Sequence, residues 1–149
     1  MKKPPLPKLE PLALDGHTLD LNYLFTKEYV DIGDASIELP TVIEWINYQL
    51  QGQIEQKHRL KSALERAEAS AYFALKGGQF ARQGYGDKPT EVSLDHAVKL
   101  DPDVTALAEN LAIVTGWVDR LYNLQRSLQF RLEMVRSSEA TRRTLAGTV

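Results

Sequence analysis

Between Tyr72 and Lys88, four aromatic side chains (Tyr72, Phe73, Phe80 and Tyr85) alternate with three cations (Lys76, Arg82 and Lys88) around the glycines Gly77, Gly78, Gly84 and Gly86. Aromatic faces stack with unpaired bases of any kind, and cations meet phosphates without reading sequence, so this composition suits single-stranded nucleic acid. A plainer account fits the same residues: Phe73 and Phe80 close the end of a helical core, and the cations are solvated. Further along, Arg120, Arg131 and Arg142 recur every 11 residues, close to three helical turns, and so form a basic stripe. Lys57, Arg59, Lys61 and Arg66 make a looser cluster, partly answered by Glu55 and Glu65 at i,i+4 spacing.

Catalytic patterns are absent. His17, His58 and His96 are far apart, and none forms the helical HxxxH pair of a zinc hydrolase. No glycine-rich run ends in Lys-Ser or Lys-Thr, and Gly84 with Gly86 is an isolated pair without a preceding strand. There is no cysteine, which removes disulfides, zinc ribbons and thiol nucleophiles. No metal, cofactor or enzymatic activity is expected. The formal charge of −2 gives no global pull toward nucleic acid. Locally, Lys and Arg outnumber Asp and Glu by 7 to 4 over positions 53–88 and by 6 to 3 over 117–149, while 1–52 and 89–116 are acidic. Lys2 and Lys3 resemble the start of a signal peptide, but Pro4, Pro5, Pro7 and Pro11 break the apolar helix a signal needs. With no apolar run of spanning length, the expectation is a soluble, intracellular protein with no membrane partner.

These side chains must be carried by long helices. Val104, Leu107, Leu111, Val114, Val118, Leu121, Leu128, Leu132 and Val135 follow a 3–4 spacing that only Gln125 interrupts. Ile43, Ile46, Leu50, Leu60, Leu64, Ala67, Ala71 and Ala74 follow the same rule, interrupted by Gln53 and Lys57. A repeat averaging 3.5 residues keeps one apolar seam turned toward a partner helix. The pattern predicts an all-α protein: a long antiparallel helical hairpin with a short connector helix, an N-terminal strap, and no β-sheet. The first helix runs from Pro40 to Lys76, on the order of 55 Å at ~1.5 Å per residue. Asp34 is a candidate N-cap for an earlier turn, with Pro40 either in the opening turn or inside a helix that began before it. Gly77 and Gly78 end the helix, Thr90 caps the connector helix, and Asp101-Pro102-Asp103 opens the second long helix, which runs to about Ser138.

Residues 1–16 read as a proline-rich, flexible lead-in containing a minimal PxxP at Pro4 and Pro7, and 17–149 as a single helical domain with its basic aromatic-glycine connector at 72–88. Leu21, Leu24, Phe25 and Tyr29 suggest the strap. Tyr48, Ile54, Ile113, Trp117, Leu124 and Phe130 fall beside the strict seam and widen the apolar face beyond what one hairpin covers. The strap, neighbouring subunits or both must cover the excess; for self-association the candidate contacts are Trp117, Leu121, Leu124 and Leu128.

The order of features resembles the UvsY-like recombination mediators of bacteriophages. The likeness runs from the tryptophan-bearing start Pro40 to Trp45, through the charged helix ending in Ala71-Tyr72-Phe73-Ala74-Leu75-Lys76 and a glycine-containing loop. It continues with Thr90-Glu91 through Val98 to Asp101-Pro102-Asp103-Val104, and ends on the long helix that carries Arg131 close to Met134. It covers roughly positions 31–143. The resemblance implies a small helical homo-oligomer in the cytoplasm of a phage-infected bacterial cell. Such a protein binds single-stranded DNA and helps load a RecA-type recombinase onto strands coated by a single-strand-binding protein. It also implies that Lys76 and Arg82, flanked by Tyr72 and Phe73, meet DNA.

The expected DNA-binding set is therefore Tyr72, Phe73, Lys76, Phe80, Arg82, Tyr85, Lys88, Arg120 and Arg131. The competing expectation is an oligomeric structural or assembly protein, a virion component or scaffold, that binds no nucleic acid. The near-neutral charge favours the latter and the interleaved aromatic-cationic segment the former.

Overall fold

The computed structural model describes residues 10–26, 32–86 and 88–147. The PxxP prolines and Tyr29 lie outside them. The chain is all-α apart from a small ribbon. Its elements are β1 (Leu12–Leu14), β2 (His17–Leu19), α1 (Leu21–Thr26), α2 (Ile32–Ala74), a π-helical turn (Leu75–Gln79), α3 (Phe80–Arg82), α4 (Glu91–Lys99) and α5 (Pro102–Gly147). Two compact units divide it: Met1–Gln49 with Asn123–Val149, and Leu50–Tyr122. Both long helices contribute to both units.

The seam residues obey their spacing. Ile43, Ile46, Leu50, Ala71, Val104, Leu121, Leu128 and Leu132 are buried. The remaining seam positions, from Leu60 and Leu64 to Leu107, Leu111, Val114 and Val118, are half-buried. In the first unit the polar interruption Gln125 donates to Asn47 Oδ1 on α2, so the break in the apolar pattern is answered by a polar partner that fixes register. In the second unit Ala71, near the end of α2, clusters with Val104 at the start of α5. In each unit α2 and α5 pack against each other, as the long helices of a helical hairpin.

The expectation of no β-sheet is overturned. β1 and β2 pair antiparallel, Leu12 with Leu19 and Leu14 with His17, in the first unit. The turn is Asp15-Gly16 with φ of 51° and 72°, the doubly left-handed geometry that matches the twist of paired strands. A boundary at residue 16 thus falls inside this turn. Leu12, within the proline-rich stretch, is fully buried, and the His17 ring stands edge-on to Trp45 of α2 at 6.3 Å. The strap is α1: Asp20 Oδ1 accepts from the Tyr23 N–H, and Leu21 and Leu24 are buried.

Helix boundaries differ from expectation where the local signal was ambiguous. α2 begins at Ile32, ahead of Asp34, so Pro40 lies inside the helix, the second of its two possible places. α5 continues past Ser138 to Gly147. The starts of α4 and α5 follow the cap chemistry. Asp101 Oδ1 accepts from the N–H groups of Asp103 (3.0 Å) and Val104 (3.2 Å) with Pro102 at the first helical position. Thr90 and Ser93 form a reciprocal capping box at the start of α4.

Candidate nucleic-acid interface

The aromatic-cationic segment belongs wholly to the Leu50–Tyr122 unit. α2 delivers Tyr72 and Phe73 at its C-terminal end, and the π-helical turn that follows carries Lys76; within that turn Gly78 adopts φ 113° and turns the chain out of the helix. A residue with a Cβ resists that conformation, which is why glycine stands there. The π-helical turn closes with the Phe80 N–H donating to the Leu75 carbonyl. α3, which carries Arg82, then runs into an exposed loop with Tyr85 and Lys88.

Phe73 is 70% exposed, an aromatic ring largely open to solvent. Tyr72, half-buried, meets Phe73 edge-on with ring centroids 5.7 Å apart at 80°. Lys76 places its ammonium 5.5 Å from the Tyr72 centroid, over the ring, a cation–π contact. The Tyr72 hydroxyl donates to both carboxylate oxygens of Glu91, at 3.2 and 3.1 Å. Glu91 lies outside the set expected from sequence; the Thr90 cap that places it first in α4 is the signal that could have found it. Tyr72 also lines, with Glu65, Glu68, Asp95 and Lys99, a groove of about 480 Å³.

Two of the expected site residues, Phe80 and Arg131, are engaged within the fold. Phe80 is 4% exposed and sits in the core of the unit with Leu75, Leu94, Val98 and Val104, so it offers no face to a base. Its ring contacts Tyr85 at 5.5 Å, and Tyr85 itself remains exposed. Arg131, in the other unit, is half-buried and donates through Nη1 to the Phe25 carbonyl at 2.7 Å, tying α1 to α5. Arg120 is exposed and lies over the half-buried Trp117 ring at 5.4 Å.

Among the expected self-association contacts, Leu121, Leu124 and Leu128 are buried, all covered within one chain. They are part of this chain's own core. Of the six off-seam apolar residues singled out in the sequence, Tyr48, Ile113 and Phe130 are exposed, at 73%, 61% and 64%.

Among the described residues no helix is long and apolar enough to cross a membrane. In the same residues no group of three or more His, Asp or Glu side chains comes together as a metal site. No family model, curated protein or solved structure matches the chain.

Proposed function

We propose that this protein is a non-enzymatic mediator that binds single-stranded DNA through the end of α2 and the loop that follows it. The observation that carries this reading is the exposed Phe73 beside Lys76, in the same unit as the exposed Arg82, Tyr85 and Lys88. Phe73 and Tyr85 are the stacking residues, Tyr72 a supporting wall, and Lys76, Arg82 and Lys88 the phosphate contacts. Arg120 adds a further exposed cation to the unit.

Self-association belongs to the same reading. The half-buried seam residues Leu107, Leu111, Val114 and Val118 and the exposed Ile113 lie in a unit whose helix pair does not cover them fully. A neighbouring copy that did so would multiply weak sites into useful avidity. The resemblance to UvsY-like mediators supplies the larger role: loading a RecA-type recombinase onto strands coated by single-strand-binding protein, in the cytoplasm of a phage-infected bacterium.

The test is fluorescence anisotropy with single-stranded and duplex DNA across a salt series. Preferential single-strand binding that weakens steeply with salt supports the reading, because each phosphate neutralised releases condensed counterion. No binding at low salt overturns it. The better account is then the assembly-protein alternative, which draws on the near-neutral charge and the exposed Tyr48, Ile113 and Phe130.

A further inference from the structure

We propose that Glu91 is a positioning residue for this platform: its carboxylate anchors Tyr72, and Tyr72 in turn holds Lys76 and Phe73 in the arrangement that receives a strand. This rests on the DNA-binding reading above for its purpose, though not for its geometry.

A tyrosine ring is free to swing about two side-chain torsions unless both ends are held. Here one end is fixed by the α2 backbone and the other by the hydroxyl, which donates to Glu91 Oε1 at 3.2 Å and Oε2 at 3.1 Å. With the ring plane set, the Lys76 ammonium has a face to rest on at 5.5 Å and the Phe73 ring has an edge partner at 5.7 Å. Without that anchor, a lysine at the end of a helix samples its rotamers in solvent, and ordering it on a phosphate costs more entropy.

Glu91 is itself placed. The Thr90–Ser93 capping box fixes where α4 starts, and Glu91 is its first residue, where the helix dipole favours a carboxylate. The contact also joins residues 19 positions apart. The chain leaves α2 after Ala74 and returns at Glu91, so Tyr72–Glu91 ties the two ends of the segment that carries Arg82, Tyr85 and Lys88. Midway, the Phe80–Tyr85 ring contact pins the loop to the core.

The carboxylate has the wrong charge to meet phosphate, so its contribution is through the acceptor it offers Tyr72. That distinction is measurable in the full chain with Glu91→Ala, Glu91→Gln, Tyr72→Phe and the Glu91→Ala/Tyr72→Phe double variant, each checked for unchanged helicity by circular dichroism. The primary readout is the NMR shift of the Lys76 ε-methylene protons, which a ring face beneath them moves upfield. The second is anisotropy with a labelled oligothymidylate of about 20 nucleotides, long enough for a multi-residue stacking site.

Glu91→Ala and Tyr72→Phe are expected to lose the upfield shift and to bind the oligonucleotide about threefold to tenfold more weakly, the scale of one solvent-exposed hydrogen bond. The double variant is expected to be no worse than either, since both remove one link. Glu91→Gln keeps an acceptor oxygen and removes a charge that repels phosphate, so it retains the shift and binds as tightly as the wild type or tighter.

An unchanged Lys76 shift in Glu91→Ala and Tyr72→Phe overturns the proposal, whatever the affinities. Loss of the shift in Glu91→Gln as well as Glu91→Ala also overturns it, because charge rather than the acceptor would then hold the ring. If the wild type binds no oligonucleotide, the functional reading falls, while the Lys76 shift still decides the positioning.

Discussion

Among single residues, exposure separates aromatic side chains that the sequence presents as equals. Phe73 and Phe80 are both phenylalanines beside cations and glycine, yet the first is open to solvent and the second is buried. Their alanine variants should therefore fail differently. Phe73→Ala should weaken single-strand binding by ~1–3 kcal/mol with the salt slope unchanged, since a stack carries no charge. Phe80→Ala should cost about 3–5 kcal/mol of folding stability in a denaturant titration, with DNA affinity falling only as the folded fraction falls. Replacing Lys76 and Arg82 together by Ala should weaken binding to all sequences alike. It should also flatten the salt slope, by about one unit for each phosphate no longer neutralised. Slope and affinity measured together separate stacking from charge.

Among the elements, the helix starts are where local chemistry is most decisive. Asp101 accepts from two backbone N–H groups that no helical carbonyl can satisfy. Asp101→Ala should lower stability by about 0.5–2 kcal/mol, visible as a reduced melting temperature, while Asp101→Asn should retain most of it. The end of α2 depends on backbone freedom instead. Gly78 has open space around a would-be Cβ but a φ of 113°. Gly78→Ala is thus a strain defect, not a clash, and should cost ~1–3 kcal/mol. It should also disturb the Tyr85 and Lys88 loop, which the same turn launches. The Asp15-Gly16 turn shows the converse. Such a dipeptide between apolar residues is a strong β-hairpin signal, present in the sequence but masked there by the prolines just before it.

For the molecule as a whole, the question is which apolar residues face a second copy. Carboxylates introduced at Leu121 or Leu128 enter a fully buried seam, so Leu121→Glu and Leu128→Glu should unfold the chain, with loss of helicity by circular dichroism. Ile113→Glu replaces an exposed residue and should leave the fold intact. If self-association uses that face, wild-type protein sediments as three or more subunits at micromolar concentration and Ile113→Glu as a smaller species. A wild type that stays monomeric and folded at all concentrations removes the avidity argument and with it much of the mediator reading.

The helical hairpin was legible in the order of amino acids alone, because an apolar residue every three or four positions has one low-energy solution over this length: a seam buried against another helix. The α4 and α5 starts and the glycine turn after α2 were legible too, since caps and left-handed glycines act over a few neighbouring residues. Which members of each pattern are covered came only from packing at long range. Leu121, Leu124 and Leu128 matched partner contacts in spacing, but α5 buries them in its own chain's core. Phe80 matched a stacking face, but it lies in the cluster beneath α4. Arg131 matched a phosphate contact, but α1 brings the Phe25 carbonyl to it. Glu91, marked in sequence only as the residue after the Thr90 cap, is the partner of Tyr72 because the connector returns beside its own starting point. Burial and pairing at such positions depend on contacts between residues far apart in the chain, which a local pattern does not encode.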